Sequence, residues 1–345
     1  MLAALLPDKN AFWQGKVIVI TGATAGVGRA TARLAAERGA AVGLIARDAI
    51  ALEDLRRELE GFNVPARWAQ CDVADAQAVD AAADMFEREL GPIDVWVNNA
   101  MLTVFSMAED LQADEIRRVT EVTYLGSVYG TLAALRHMRP RNRGVVVQVG
   151  SALAYRGIPL QAAYCGAKHA MRGFLDSLRT ELHSKSLSIE LTAVHLPAVD
   201  TPQFGWARTH QPCEPRPVAP VYAPEVAARA VLQAAVKPKR EYWLGGRTAL
   251  LIIANAVAPG LMDRYLGSRT VDGQHTDQPV SPNRQDNLYD PVPGMHGERG
   301  RFGDEAQDDA LLVSEGTARV GAVLAAGAAG ALLACCIRAL RASRH

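Results

Sequence analysis

KVIVITGATAGVGRATARLAAERGA, residues Lys16–Ala40, decides how the rest of the chain is read. Val17–Ile20 is an unbroken β-branched run, the mark of a strand buried on both faces. Arg29–Arg38 then repeats its apolar positions with a helical period. Between them lie Gly22, Gly26 and Gly28, a strand-to-helix turn rich in glycine. Such a turn lets backbone approach a pyrophosphate closely, and the helix N-terminus behind it offers free N–H groups and partial positive charge. The spacing Gly22-x-x-x-Gly26-x-Gly28 is wider than GxGxxG, and no Gly-Lys-Ser/Thr follows. A dinucleotide is therefore expected in preference to a nucleoside triphosphate.

Working outward, β-rich runs alternate with amphipathic stretches. Candidate strands are Lys16–Thr21, Ala41–Ala46, Ala66–Cys71, Ile93–Asn98, Gly144–Val149, Ser188–His195 and Glu241–Leu244. Helical patterns fall between them at Ala51–Glu60, Ala76–Leu90, Ala113–Met138 and Ala162–Ser184. Strict alternation predicts an α/β fold: a doubly wound, Rossmann-like, mostly parallel sheet, in one domain over residues 12–267. Pro197–Pro224, dense in proline but carrying Phe204 and Trp206, is expected to be a substrate lid. Residues 268–315, rich in Gly, Pro, Asp, Asn and Gln, are expected to be a flexible linker.

Residues 316–345 are expected to form an apolar helix with a basic end. Val320–Ile337 carries no charge and as a helix would reach about 27 Å, close to a bilayer core, so it is a candidate membrane anchor. A buried or self-associating helix is the competing reading. In the whole chain of 345 residues, 37 Lys and Arg balance 37 Asp and Glu, and nothing in that balance suggests electrostatic capture of nucleic acid. The five cysteines show no CxxC spacing, so no metal site or disulfide framework is expected, and reduced thiols fit a cytoplasmic catalytic domain.

The second strand ends in Ala46-Arg47-Asp48. An acidic residue there would bond ribose hydroxyls and favour NAD, whereas an arginine would pair with a 2′-phosphate. Asp48 stands where the helix that follows needs an N-cap, and Arg47 has no such local duty. NADP is accordingly the expected coenzyme. Tyr164 and Lys168 lie one helical turn apart in Tyr-Cys-Gly-Ala-Lys, on one face. A neighbouring ammonium favours the phenolate, and a shift of about three pKa units would require roughly 4 kcal/mol. Ser151 follows the Gly144–Val149 strand, at the edge where open parallel sheets bind ligands. Its hydroxyl could donate to a carbonyl while Tyr164 delivers a proton. A serine hydrolase fits less well, since no GxSxG is present and His169 and His195 have no evident carboxylate partner.

These motifs, in this order, resemble the short-chain dehydrogenase/reductase family over residues 12–250: TGATAGVG, Asp72-Val73, Asn98-Asn99-Ala100, Ser151, Tyr164-x-x-x-Lys168 and Pro197–Thr201. The resemblance implies that Tyr164 is the general acid/base, that Lys168 holds the nicotinamide ribose and lowers the tyrosine pKa, and that Ser151 orients the reacting group. It further implies a coenzyme held by Thr21, Gly22, Thr24, Gly26, Val27 and Gly28, with Arg47, Asp72 and Val73 at the adenosine. Asn98, Asn99 and Ala100 would line it, as would Pro197, Val199 and Thr201. A homodimer or homotetramer through the two long helices is implied as well. The chain departs from the family at Met101 and Ala198, where glycines are usual, and at Thr123, which stands where an asparagine holds a catalytic water. The function expected is NADP-dependent interconversion of a lipophilic alcohol and a carbonyl. A coenzyme-binding sensor or membrane-tethered scaffold with little turnover is the alternative.

Overall fold

The computed structural model describes residues 11–294, 296–324 and 327. Its centre is a sheet whose strands are β1 (Val17–Thr21), β2 (Ala41–Ala46), β3 (Ala66–Gln70), β4 (Ile93–Asn98), β5 (Gly144–Ser151), β6 (Ile189–Leu196), β7 (Glu241–Leu244) and β8 (Leu312–Ser314). Their spatial order is β8-β7-β6-β5-β4-β1-β2-β3. All pairs are parallel except β7 with β8. The chain runs outward from β1 through β2 and β3, then crosses back to place β4 on the other side of β1. That reversal opens a crevice beyond the C-terminal ends of β1 and β4.

The helices are α1 (Gly26–Glu37), α2 (Ala49–Glu60), α3 (Ala76–Glu89), α4 (Ala113–Thr120), α5 (Gly126–Met138), α6 (Ala162–Ser184), α7 (Pro224–Val236), α8 (Gly246–Val257) and α9 (Pro259–Gly267). Apolar faces of α1, α2 and α7 cover one side of the sheet, and those of α3, α5 and α6 the other. The expected helix Ala113–Met138 is interrupted: Glu121–Leu125 forms one π-turn between α4 and α5. There the Thr123 hydroxyl accepts from Leu102 N at 2.9 Å and donates to Leu102 O at 3.0 Å.

The segment expected as a flexible linker is instead woven into the fold. His275–Pro279 pairs with Cys213–Pro215, Ala306–Gln307 pairs with Val221–Tyr222, and β8 forms the sheet edge beside β7. Leu288 and Phe302 are buried in apolar clusters. Local composition concealed this order, because short strands recruited by distant partners need no periodicity of their own. Residues 315–324 are helical. Most of the Val320–Ile337 run lies outside the described residues, and among those described no helix is long and apolar enough to cross a membrane.

Glycine placement shows how closely the layers meet. A Cβ on Gly130 would stand 2.3 Å from Asn98 Oδ1 and 2.7 Å from Trp96 Nε1, two atoms already bonded to each other at 2.8 Å. Gly173, on α6, faces open space. Gly130→Ala should therefore destabilise the protein by about 1–3 kcal/mol, whereas Gly173→Ala should stabilise it by about 0.5–1 kcal/mol. Urea unfolding of the two variants checks both signs.

Candidate active site

A cavity of about 980 Å³ opens along the C-terminal edge of the sheet, from the glycine turn to α8 and α9. Gly22, Thr24, Gly26 and Val27 line it at one end, with Arg47, Asp72 and Val73 beyond them. Asn99, Ala100, Ser151, Tyr164 and Lys168 stand at its centre, beside Pro197, Val199 and Thr201. Other expected residues act from behind this wall. Thr21 is buried, and its Oγ1 accepts from Asn99 N at 2.9 Å and Ala100 N at 3.1 Å. Asn98 is buried between Trp96 and Thr131. Gly28 packs on the turn itself, where a Cβ would lie 2.1 Å from the Gly22 carbonyl oxygen.

The turn fits an anionic diphosphate. Gly22 (φ +64) and Gly26 (φ +55) adopt left-handed conformations that other residues take with strain. Helices α2 and α3 are capped by the carboxylates of Asp48 and Asp75, but α1 has no side-chain cap. Its first amides are thus left for backbone or ligand partners at the cavity. At the end of β2, Asp48 is committed to Ile50 N (2.9 Å) and Ala51 N (3.1 Å). Asp72 pairs with Arg118.

Ser151 ends β5, and its Oγ accepts from Leu153 N at 3.1 Å. Tyr164 and Lys168 sit on α6, both buried. The Lys168 ammonium lies 5.5 Å from the Tyr164 ring centroid and donates to Val149 O at 2.8 Å. Burial pushes the Tyr164 phenol above its usual range, and the hydrogen bond with Ser151 opposes this. Burial also brings Lys168 down to about 7. Burial is thus the leading influence on the Tyr164 phenol and runs against the lowering expected from the lysine.

Thr123 is fully buried, and both its hydrogen bonds go to the Leu102 backbone. It braces the wall beneath Met101 and does not line the cavity. Another support escaped the sequence reading. His195, on β6, donates from Nδ1 to the Ser151 carbonyl at 3.0 Å, and its Nε2 lies 3.4 Å from Glu241, on β7. Burial works against the Glu241 charge, yet His195, Tyr155 and Arg172 hold its pKa down to about 2. His195 thus has a carboxylate partner after all. It engages the serine's carbonyl and not its hydroxyl, so the pair orients the β5 terminus without activating a nucleophile. The signal was faint: two polar residues in otherwise apolar strands.

The buried lysine has a pH signature. Below about pH 7 the amine is charged in folded and unfolded chains alike, and its burial penalty is complete. Above this the folded chain loses the proton, while the unfolded chain keeps it to about pH 10.4. The penalty fades as pH rises. Lys168→Met carries no such penalty, so its stability relative to wild type should fall between about pH 7 and pH 9.5, read from urea midpoints at each pH.

Comparison with known proteins agrees with this geometry. The short chain dehydrogenase profile matches residues 16–211. An uncharacterised oxidoreductase of Bacillus subtilis (strain 168), YxnA, is 36% identical over 83% of this chain and 80% of its own length. A 3-dehydrosphinganine reductase of Danio rerio is 31% identical over 69% and 73%. Among solved structures, an alcohol dehydrogenase from Thermococcus sibiricus complexed with 5-hydroxy-NADP superposes with a TM-score of 0.59. It shares 29% identity and covers 66% of this chain and 95% of its own. With a doubly wound sheet, an uncapped glycine turn and Ser151, Tyr164 and Lys168 around one cavity, this chain belongs to the short-chain dehydrogenase/reductase family of NAD(P)-dependent oxidoreductases.

Proposed function

We propose that the protein interconverts a lipophilic alcohol and its aldehyde or ketone with NADP(H). The observation that carries this reading is the layout of the cavity. Arg47 stands at one end, Ser151, Tyr164 and Lys168 at the centre, and an apolar arm at the other end. Leu153, Ile158, Val218, Leu251, Met262 and Leu266 line that arm, and Arg216, Arg247 and Arg269 also border the cavity. Such walls bind aliphatic substituents by excluding water and leave recognition of the oxygen to the serine and tyrosine.

The preference for NADP rests on the second strand's end. The Asp48 carboxylate is spent on capping α2, while Arg47 borders the cavity with donors to spare. Its Nη1 and Nη2 each give one hydrogen to a carbonyl, of Tyr289 and Asn287, so three of its five N–H groups are left for a phosphate. A charge-assisted contact of this kind contributes about 1.5–3 kcal/mol. Arg47→Ala should weaken NADPH binding by roughly 10- to 100-fold and leave NADH binding nearly unchanged, by fluorescence titration.

In reduction, Ser151 would donate to the carbonyl oxygen and hold it beside the phenol. Tyr164 would give the proton as negative charge develops on that oxygen, and take it back in the reverse direction. Lys168, when protonated, would stabilise the phenolate left behind. A bound nicotinamide supplies or accepts the hydride. His195 and Glu241 keep the serine's backbone in place. The long helices α5 and α6 are the faces through which a dimer or tetramer would form, and Leu132 on α5 is exposed. Tyr164→Phe should lower turnover by about 10²–10⁴-fold while NADPH affinity stays close to wild type. Oxidation of NADPH against aliphatic aldehydes and ketones of increasing chain length is the assay, with kcat/KM rising with length. Full activity in the phenylalanine variant would refute the mechanism.

A further inference from the structure

The dinucleotide end of the cavity has a roof that comes from far along the chain. Asn287, Pro291, Val292 and His296 line the same cavity as the glycine turn and Arg47. The segment bearing them is anchored on both banks. On the adenosine bank, Leu288 is fully buried in the cluster that contains Val119 and Val122, and its carbonyl accepts from Arg118 Nε at 3.0 Å. Arg47 donates to the carbonyls of Asn287 at 2.6 Å and Tyr289 at 2.8 Å, and the Tyr289 hydroxyl donates to Asp114 at 2.6 Å. On the other bank, Gly26 N, in the glycine turn, donates to Gly297 O at 3.2 Å. Arg33 pairs with Glu298 at 2.7 Å, and Phe302 N donates to Asp200 Oδ1 at 3.0 Å.

Between these anchors the chain crosses the cleft, and the cavity persists beneath it. His296 packs edge-on against Trp206 at 4.3 Å, joining the strap to the loop after β6. The hydrogen bonds to Arg47 and Gly26 are accepted by strap carbonyls, while Asp290 of the strap adds a negative charge near Arg47. Glu298 turns outward to Arg33.

Resting on the reading of this cleft as an NADP(H) site, we propose that the strap formed by residues 286–294 and 296–302 is the outer wall of that site. It positions Arg47 through the carbonyls of Asn287 and Tyr289, closes over the dinucleotide and must part for coenzyme to leave. Coenzyme exchange is then governed by anchors roughly 240 residues away from Arg47 in sequence, with Leu288 the principal one.

Two measurements test this. In the wild-type protein, hydrogen–deuterium exchange of peptides covering residues 286–302 should slow at least tenfold with saturating NADPH. Exchange that is unchanged, or faster, would overturn the proposal; faster exchange would mark the strap as a plug that coenzyme displaces. In stopped-flow displacement, Leu288→Ala should release NADPH at least tenfold faster than wild type, and an unchanged or slower release overturns the wall as well. Failure of wild type to bind either NADPH or NADH would remove the functional reading and this inference together. Normal binding by wild type with an indifferent strap would remove only the latter.

Discussion

One buried hydroxyl joins the two strand ends between which the coenzyme cleft opens. Thr21 closes β1, and its Oγ1 accepts the backbone amides of Asn99 and Ala100 just beyond β4 while reaching Val97 O at 3.4 Å. Asn99 returns the contact by donating Nδ2 to the carbonyls of Thr21 and Gly22. Strands β1 and β4 separate here because the chain reverses its winding, and their terminal amides would otherwise be buried without partners. Each such group costs about 1–3 kcal/mol. The latch satisfies them and fixes the glycine turn against Ala100. Gly28 can then settle on Gly22, leaving the α1 N-terminus at the cavity.

The reacting groups depend on that frame and carry the cost of their burial. Lys168 sits inside the protein with the Val149 carbonyl as its hydrogen-bond acceptor, and Tyr164 is buried one turn earlier. Desolvation favours the neutral form of each, raising the phenol and lowering the amine, so their proton affinities stand further apart than in water. Ser151 is held from two directions, through its hydroxyl by Leu153 N and through its carbonyl by His195. Glu241 secures the histidine from β7, so two neighbouring strands contribute to the placement of a residue on a third.

The C-terminal segment makes a different kind of contribution. It adds β8 to the sheet edge, packs Phe302 against Phe204, and crosses the coenzyme cleft between two anchored ends. It turns a cleft open on one side into a roofed cavity. Met101 and Ala198, where bulk replaces the usual glycines, are accommodated in the same enclosure without closing it: Met101 lies on the cavity wall and Ala198 pairs with Val221.

Features encoded by neighbours in sequence were legible. The VIVI run, the glycine turn, the Asp48 cap and the Tyr164–Lys168 spacing each express a local rule of strand burial, phosphate approach, capping or helical repeat, and each lies where its pattern placed it. The break at Glu121–Leu125 was hidden because a π-turn preserves helical composition, and Thr123 looked available because its partner, Leu102, is on another element. The strap and β8 were misread as a linker for the same reason. Their few apolar side chains have no period, and their order comes from Arg47, Arg118 and β7, all far away in sequence. Sequence alone determined the alternating sheet and its dinucleotide class, which follow from contacts within a few residues, and put Ser151, Tyr164 and Lys168 forward as the candidate reacting side chains. Tertiary structure decided which of them face the cavity, how burial sets their proton affinities and what encloses the coenzyme, since those depend on desolvation and on partners that only folding brings together.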